Sequence, residues 1–276
     1  MMDLSVTEQL SYSTVRVECE DVRGTKSSGT GFFMSFKENR QDGLHIPVVI
    51  TNKHVIEGAK KGTLIFTQAN TQGEPVDSRQ FSFYVDNFES FWRKHPDPEV
   101  DLCAMPLAPF QNAATQSGVK LFYVSLPMSL IPTQSQLDEL SAVEDVIMVG
   151  YPNGIWDEAN NKPIFRKGIT ATHPCKDYAG RTRIVIDMAC FPGSSGSPVF
   201  ILNEGGYRDK HGKFYIGRSR LLLLGVLHAG YQYTATGKIG IASIPTKEMP
   251  VAISQIPNHL GVIIKSSRIK ELEELF

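Results

Sequence analysis

Residues Ile184–Phe200 read I-V-I-D-M-A-C-F-P-G-S-S-G-S-P-V-F, and the fold turns on how that stretch is parsed. An apolar run enters, a knot of Gly and Ser follows Pro192, Pro198 ends the knot, and a second apolar run leaves. Glycine is placed where a Cβ would forbid the backbone conformation or its close approach to another group. Gly193 and Gly196 therefore mark a tight turn between two buried strands, with Ser194, Ser195 and Ser197 on it. Gly/Ser runs are usually flexible linkers, but the flanking strands and the two prolines argue against that here.

Outward from this turn the chain keeps a β rhythm. Short apolar runs occur at 14–20, 30–36, 46–52, 63–67, 81–85 and from Asp101, each bounded by turn residues such as Arg23–Gly29 and Gln68–Pro75. The stretch 108–142 is rich in Gln, Ser, Pro and Ala and reads as a connection, with one short strand at 120–125 and a helical turn at 134–141. The rhythm resumes at 145–151, 163–172, 183–188, 198–202, 221–227 and 239–245. Two groups of about six strands predict an all-β fold of two six-stranded antiparallel β-barrels with short terminal helices. The corresponding division of the single domain, 1–276, is a first barrel at 12–110, a connection at 111–142, a second barrel at 143–255 and a tail at 256–276. Helices are expected over 3–11, near 246–255 and over 267–276.

Composition narrows the function classes. The 276 residues carry a net charge of −1, so no basic excess attracts nucleic acid or an anionic membrane surface. No apolar run is long enough to span a bilayer as a helix, and the first residues lack the pattern of a secretory leader. A cytoplasmic location is the expectation. Cys19, Cys103, Cys175 and Cys190 match neither a disulfide framework nor a zinc site. Cys19, Cys103 and Cys190 sit in apolar runs and are expected buried and reduced.

A serine hydroxyl that attacks a carbonyl needs a base, a group to orient the base, and donors for the oxyanion. Ser195 is the candidate nucleophile. His54, just after the apolar strand in V-V-I-T-N-K-H-V-I-E-G, is the candidate base. Asp101 in P-E-V-D-L-C-A-M is the candidate orienter, with Asp97 as its rival, and the amides of Gly193 and Ser195 are candidate oxyanion donors. His45, His95, His173, His211 and His259 have no partners at metal-ligand spacing and read as structural or surface residues. No metal or organic cofactor is implied.

Together T-N-K-H-V-I-E-G-A, V-D-L-C-A and D-M-A-C-F-P-G-S-S-G-S-P-V resemble the histidine, aspartate and serine motifs of the trypsin-like serine proteases, and most closely the protease domain of the HtrA/DegP type. The order His, Asp, Ser is that family's order. Further echoes stand at 146–154, 166–170, 224–230 and 239–246, so the resemblance covers roughly residues 14–255. It implies a serine endopeptidase acting on a protein or peptide. It also implies an S1 pocket built by Ala189, Cys190 and the wall Leu227, His228, Ala229, Gly230. With no acid at Ala189, a small or apolar P1 side chain is expected in preference to Lys or Arg. His228 departs from the small residue the family carries there, which leaves open a Gln- or Glu-directed pocket or a plain buried histidine. Ser194 stands where secreted members carry the Asp that pairs with a new N-terminus, so activation by clipping is not expected. Ser197 replaces the usual Gly after the G-S-S-G core. The alternative reading is a latent trypsin-fold module gated by a regulatory protein partner.

Overall fold

Residues 4–38, 43–235 and 254–276 are described by the structure, a computed structural model. The first half builds one large sheet. Its strands are β1 (Thr14–Glu20), β2 (Lys26–Phe36), β3 (Ile46–Thr51), β4 (Lys61–Ala69), β5 (Pro75–Asp86), β6 (Arg93–Lys94) and β7 (Cys103–Pro106). They pair in the order β5-β4-β1-β2-β3-β7-β6, and the two-residue strands β8 (Leu121–Phe122) and β9 (Leu126–Pro127) add to β4 and β2. The second half supplies β10 (Asp145–Gly150), β11 (Ile164–Thr170), β12 (Arg183–Asp187), β13 (Pro198–Asn203), a separate hairpin of β14 (Gly206–Arg208) and β15 (Phe214–Ile216), then β16 (Arg220–Ala235) and β17 (Ser254–Lys265). Six of these close into a barrel ordered β10-β11-β12-β17-β16-β13.

The fold is thus mostly β, with one closed six-stranded barrel. The expected closure of the first half is not found among the described residues. β5 and β6 end the ladder without pairing, because β6 has two residues and the 3-10 helix Phe88–Phe91 lies between the two strands. Side chains fill that end instead: Phe88, Trp92 and Phe110 are buried in the interior of the sheet. A second difference lies at the C-terminus. Residues 254 and 255, expected at the end of a helix, open β17, and the chain read as a tail from 256 onward runs as β17 to Lys265 and closes the second barrel. The remainder of that expected helix and the expected strand at 239–245 lie outside the described residues.

Period-two alternation explains how two cores share the same strands. In β2, Phe32, Met34 and Phe36 face one cluster and Phe33 the other; in β3, Val48 and Ile50 oppose Val49 in the same way. The first cluster also takes Phe200, Leu223 and Val226 from the second half, so it is the seam between the halves. A third cluster, with Val146, Ile184, Ile186, Val199 and Leu224, fills the closed barrel. Each such side chain contributes about 1.5–3 kcal/mol through burial.

Five short α-helices decorate the sheets among the described residues. α1 (Val6–Ser11) starts on a capping box between Ser5 and Glu8, and α4 (Gln134–Asp138) on one between Thr133 and Gln136. α2 (Lys53–Ile56) follows β3 directly. α3 (Ala108–Gln116) occupies what the sequence was read as a plain connection, with Pro109 in its first turn. α5 (Ile269–Glu273) packs Ile269 and Leu272 into the seam. Arg268 beside it pairs with Asp97 at 2.8 Å, and Glu271 approaches the buried His95 at 3.3 Å, which fastens the C-terminus to the loop ahead of β7.

Candidate active site

The Gly/Ser stretch folds as two successive turns. Ser194 N–H donates to Phe191 C=O at 3.0 Å, and Ser197 N–H donates to Ser194 C=O at 3.0 Å. Pro192 precedes Gly193, whose φ is +85°, and Ser195 precedes Gly196, whose φ is +86°. A positive φ at the third position is the signature of a type II turn, and Pro suits the second. Space demands glycine as well. A Cβ on Gly193 would lie 2.6 Å from the Tyr151 carbonyl oxygen, and one on Gly196 would lie 2.0 Å from the Thr30 carbonyl oxygen.

The amides of the turn divide into used and unused. Gly196 N–H donates to Leu227 C=O at 2.8 Å, so Ser194, Gly196 and Ser197 all have acceptors. Among the described residues, no acceptor meets the N–H of Gly193 or of Ser195. The Pro192 carbonyl accepts from Asn153 N–H at 2.6 Å. Across a trans peptide this turns the Gly193 N–H to the opposite side, away from Asn153. Buried amides are normally paired, and Gly193 is buried.

The sequence reading missed the residue that holds this turn. Thr30 is fully buried in β2. Its hydroxyl donates to Gly193 C=O at 3.0 Å and accepts from Tyr151 N–H at 3.1 Å. Its own N–H donates to Ser195 C=O at 2.8 Å, and its carbonyl accepts from the Thr51 hydroxyl at 2.7 Å. The flanking Gly29 and Gly31 were the available signal: a Cβ on either would lie within 2.6 Å of Val55 or Val49 methyls. Ser197 is accommodated in a related way, because its Oγ sits 2.0 Å from where a Gly150 Cβ would be.

Thr51 also touches the glycine: a Gly196 Cβ would be 2.4 Å from its hydroxyl. Three residues further on, at the end of β3, α2 presents His54. Asp101 is fixed just ahead of β7. Asn52 Nδ2 donates to its carbonyl at 2.8 Å, and His54 N–H donates to its Oδ1 at 3.0 Å. His54 Nδ1 lies 2.5 Å from Oδ2. Asp97 is engaged elsewhere, with Arg268 and with Lys53, which donates to its carbonyl at 2.9 Å. Ser195 Oγ makes no hydrogen bond to His54 among the described residues.

His228 brings a second imidazole to the same oxygen, with Nδ1 at 2.8 Å from Asp101 Oδ2. A β-bulge explains this. Leu227 pairs with Ile263 and Ala229 with Val262, which leaves His228 as the extra residue of β16. Bulges re-aim a side chain, and this one aims His228 at Asp101. Burial works against the charge of Asp101. Hydrogen bonds from His228 and His54 outweigh it and hold the carboxyl well below the usual carboxylate range.

The remaining residues assigned to S1 divide. Leu227 packs its side chain into the barrel core, while its N–H and C=O brace the turn at Ser197 and Gly196. A Cβ on Gly230 would come within 3.3 Å of the Cys190 Cβ, so those two residues stand close together. Ala189 is half-buried. All four cysteines are free, with Cys19, Cys103 and Cys190 buried as expected. A groove of about 520 Å³ lies on β1, β2, β4 and β5, lined by Arg16, Cys19, Lys26, Lys61 and Tyr84 among others, and takes none of His54, Asp101, Ser195 or the residues assigned to S1.

The trypsin-like peptidase domain family matches residues 29–206, well over half of the chain, and the chain belongs to that family. Comparison with curated protein sequences returns no match. Solved structures similar to it include the HtrA-type protease AlgW with a tripeptide, at 17% identity and a TM-score of 0.48, over 96% of this chain and 60% of that one. The Rv3671c protease from M. tuberculosis in its active form matches at 15% identity and 0.46, over 94% and 78%. Deg5 matches at 15% and 0.45, over 82% and 88%. The chain spans about three fifths of the AlgW length. No helix among the described residues is long and apolar enough to cross a membrane.

Proposed function

We propose that this chain is a serine endopeptidase in which Ser195 attacks, His54 takes its proton, and Asp101 holds the His54 tautomer and stabilises the imidazolium. The Gly193 and Ser195 amides receive the oxyanion. An acyl-enzyme forms, and His54 then activates the water that releases it. The observation that carries the reading is the pair of unused amides on either side of Ser194, on a turn that Thr30 ties to the strand leading to His54. Two donors left free in a locked turn are what an oxyanion site requires, since they need no rearrangement as charge develops.

Membership in a peptidase family adds weight, and so does the close hydrogen bond between His54 and Asp101. A small or apolar P1 residue is favoured, because Ala189 offers no carboxylate and the Cys190 and Gly230 walls leave little width. His228 turns its Nδ1 to Asp101, which supports a role behind the base over one in reading P1. A fluorophosphonate probe labels the wild type under this reading, and Ser195→Ala and His54→Ala both abolish labelling. Labelling that survives Ser195→Ala overturns it. A latent, partner-gated domain is the second reading, favoured by one observation: Ser195 Oγ is not hydrogen-bonded to His54. Catalytic hydrogen bonds often tighten only when substrate is bound, so probe labelling of the isolated chain separates the two.

A further inference from the structure

Orienting one base takes one carboxylate and one imidazole, yet Asp101 Oδ2 serves two. One ring nitrogen from each of His54 and His228 and one Asp101 carboxylate oxygen all lie within 4.8 Å of one another, and both Nδ1 atoms meet Asp101 Oδ2, at 2.5 and 2.8 Å. Two imidazole nitrogens and one carboxylate oxygen form the donor set of an open, three-ligand zinc site. Imidazole favours Zn²⁺ over Mg²⁺ and Ca²⁺, which seek six or more oxygens. The carboxylate is already oriented by the His54 amide on its other oxygen, the kind of outer support that metal ligands use. The His54 side chain is 43% exposed, so an ion can enter from solvent and keep a water as fourth ligand.

We propose that His54, Asp101 and His228 bind Zn²⁺ reversibly, and that the bound ion switches the site off. The switching clause rests on the serine peptidase reading; the binding clause does not. Tetrahedral bonds of about 2.0–2.1 Å place ligand atoms about 3.3 Å apart. The two nitrogen–oxygen spans, 2.5 and 2.8 Å, therefore open by less than an ångström to admit the ion. Without metal, a ring in the Nδ1–H tautomer donates to Oδ2 and keeps its lone pair on Nε2. Ligation needs the lone pair on Nδ1, so each ring's proton moves through solvent from Nδ1 to Nε2. The exchange is one tautomer for another, so it neither takes up nor releases a proton. His54 then carries a proton on Nε2 and cannot accept the one on Ser195. The ion is an inhibitor on this account, not a resident cofactor.

The test uses the full chain, stripped with EDTA and titrated with Co²⁺, Zn²⁺ and Mg²⁺. One equivalent of Co²⁺ is expected to give tetrahedral visible bands that Zn²⁺ displaces, with no response to Mg²⁺. Zn²⁺ is expected to slow fluorophosphonate labelling of Ser195 at least tenfold, and EDTA to restore it. His228→Asn keeps an N–H donor for Asp101 but loses the ligand, and weakens Zn²⁺ binding by about 30-fold or more, in the range that metal-site mutations reach. His228→Gln serves if that variant fails to fold. Absence of Co²⁺ and Zn²⁺ binding by the wild type, or equal binding by a folded His228 variant, overturns the proposal. Zn²⁺ binding that depends on His228 in a chain that never labels upholds the ion site and refutes the peptidase reading. Labelling indifferent to Zn²⁺ refutes the switch alone.

Discussion

Thr30→Val probes the turn without touching its charges. Valine matches threonine in shape but lacks the hydroxyl, so the substitution removes the donor to Gly193 C=O and the acceptor for Tyr151 N–H, while the backbone bonds to Ser195 and Thr51 remain. Both orphaned groups are buried. A buried group left unsatisfied costs about 1–3 kcal/mol. Two together put the penalty at about 2–6 kcal/mol, part falling on global stability and part on the geometry of the turn. If about 2 kcal/mol falls on the geometry, the chemical step slows about 30-fold. The assay is the second-order rate constant for fluorophosphonate labelling, paired with a urea unfolding curve. Thr30→Ser, which keeps the hydroxyl, is expected to label within a few-fold of wild type. A folded Thr30→Val protein labelling within twofold of wild type refutes the idea that this hydroxyl positions the nucleophile.

Other perturbations test separate contacts. Gly150→Ala sets a Cβ 2.0 Å from Ser197 Oγ and 2.7 Å from Thr30 Oγ1; a loss of about 1–3 kcal/mol in urea unfolding is expected for such overpacking. Adding Ser197→Ala recovers part of it, and strict additivity rules out the contact. The Asp101 carboxyl sits below its unfolded-state range, so its stabilisation is complete above about pH 4 and lost as pH falls toward the folded value. The stability gap between wild type and Asp101→Asn therefore narrows as pH falls below about 4; a gap that widens there contradicts the sign. Burial pushes the Cys19 thiol up to about 12 and the Cys190 thiol up to about 11, and Cys103 is fully buried. Native-state alkylation followed by peptide mapping should therefore modify Cys175 alone, and modification of Cys103 before unfolding contradicts that packing.

The legible parts of this chain are those where local chemistry decides. The turn at Ser195 could be read because Gly193 and Gly196 stand where a Cβ would forbid the backbone, between two apolar runs and two prolines. Asp101 could be chosen over Asp97 because it abuts a buried strand. Contacts set by distant register could not be read. Thr30 meets Gly193 across 163 residues, and a lone threonine in an apolar strand carries no mark of that partner except the glycines beside it. The aim of His228 depends on a bulge against β17, which is a property of two strands together. β17 was obscured by Pro257 and Gly261. The glycine is needed because a Cβ there would fall 2.5 Å from the Cys190 sulfur. α3 carried its signals, Pro109 in the first turn and Gly118 at φ +70° just past the end, but its polar composition reads as linker.

The most direct measurement of the central claim is the trapped intermediate. The EDTA-treated wild type is incubated with an activated peptide ester at mildly acidic pH, where deacylation lags, and the protein is weighed intact and mapped by mass spectrometry. The account predicts a single acyl group on Ser195, absent from Ser195→Ala and strongly reduced in His54→Ala. A folded wild-type protein that takes up no acyl group, or carries it on Ser194, Ser197 or a cysteine, contradicts it.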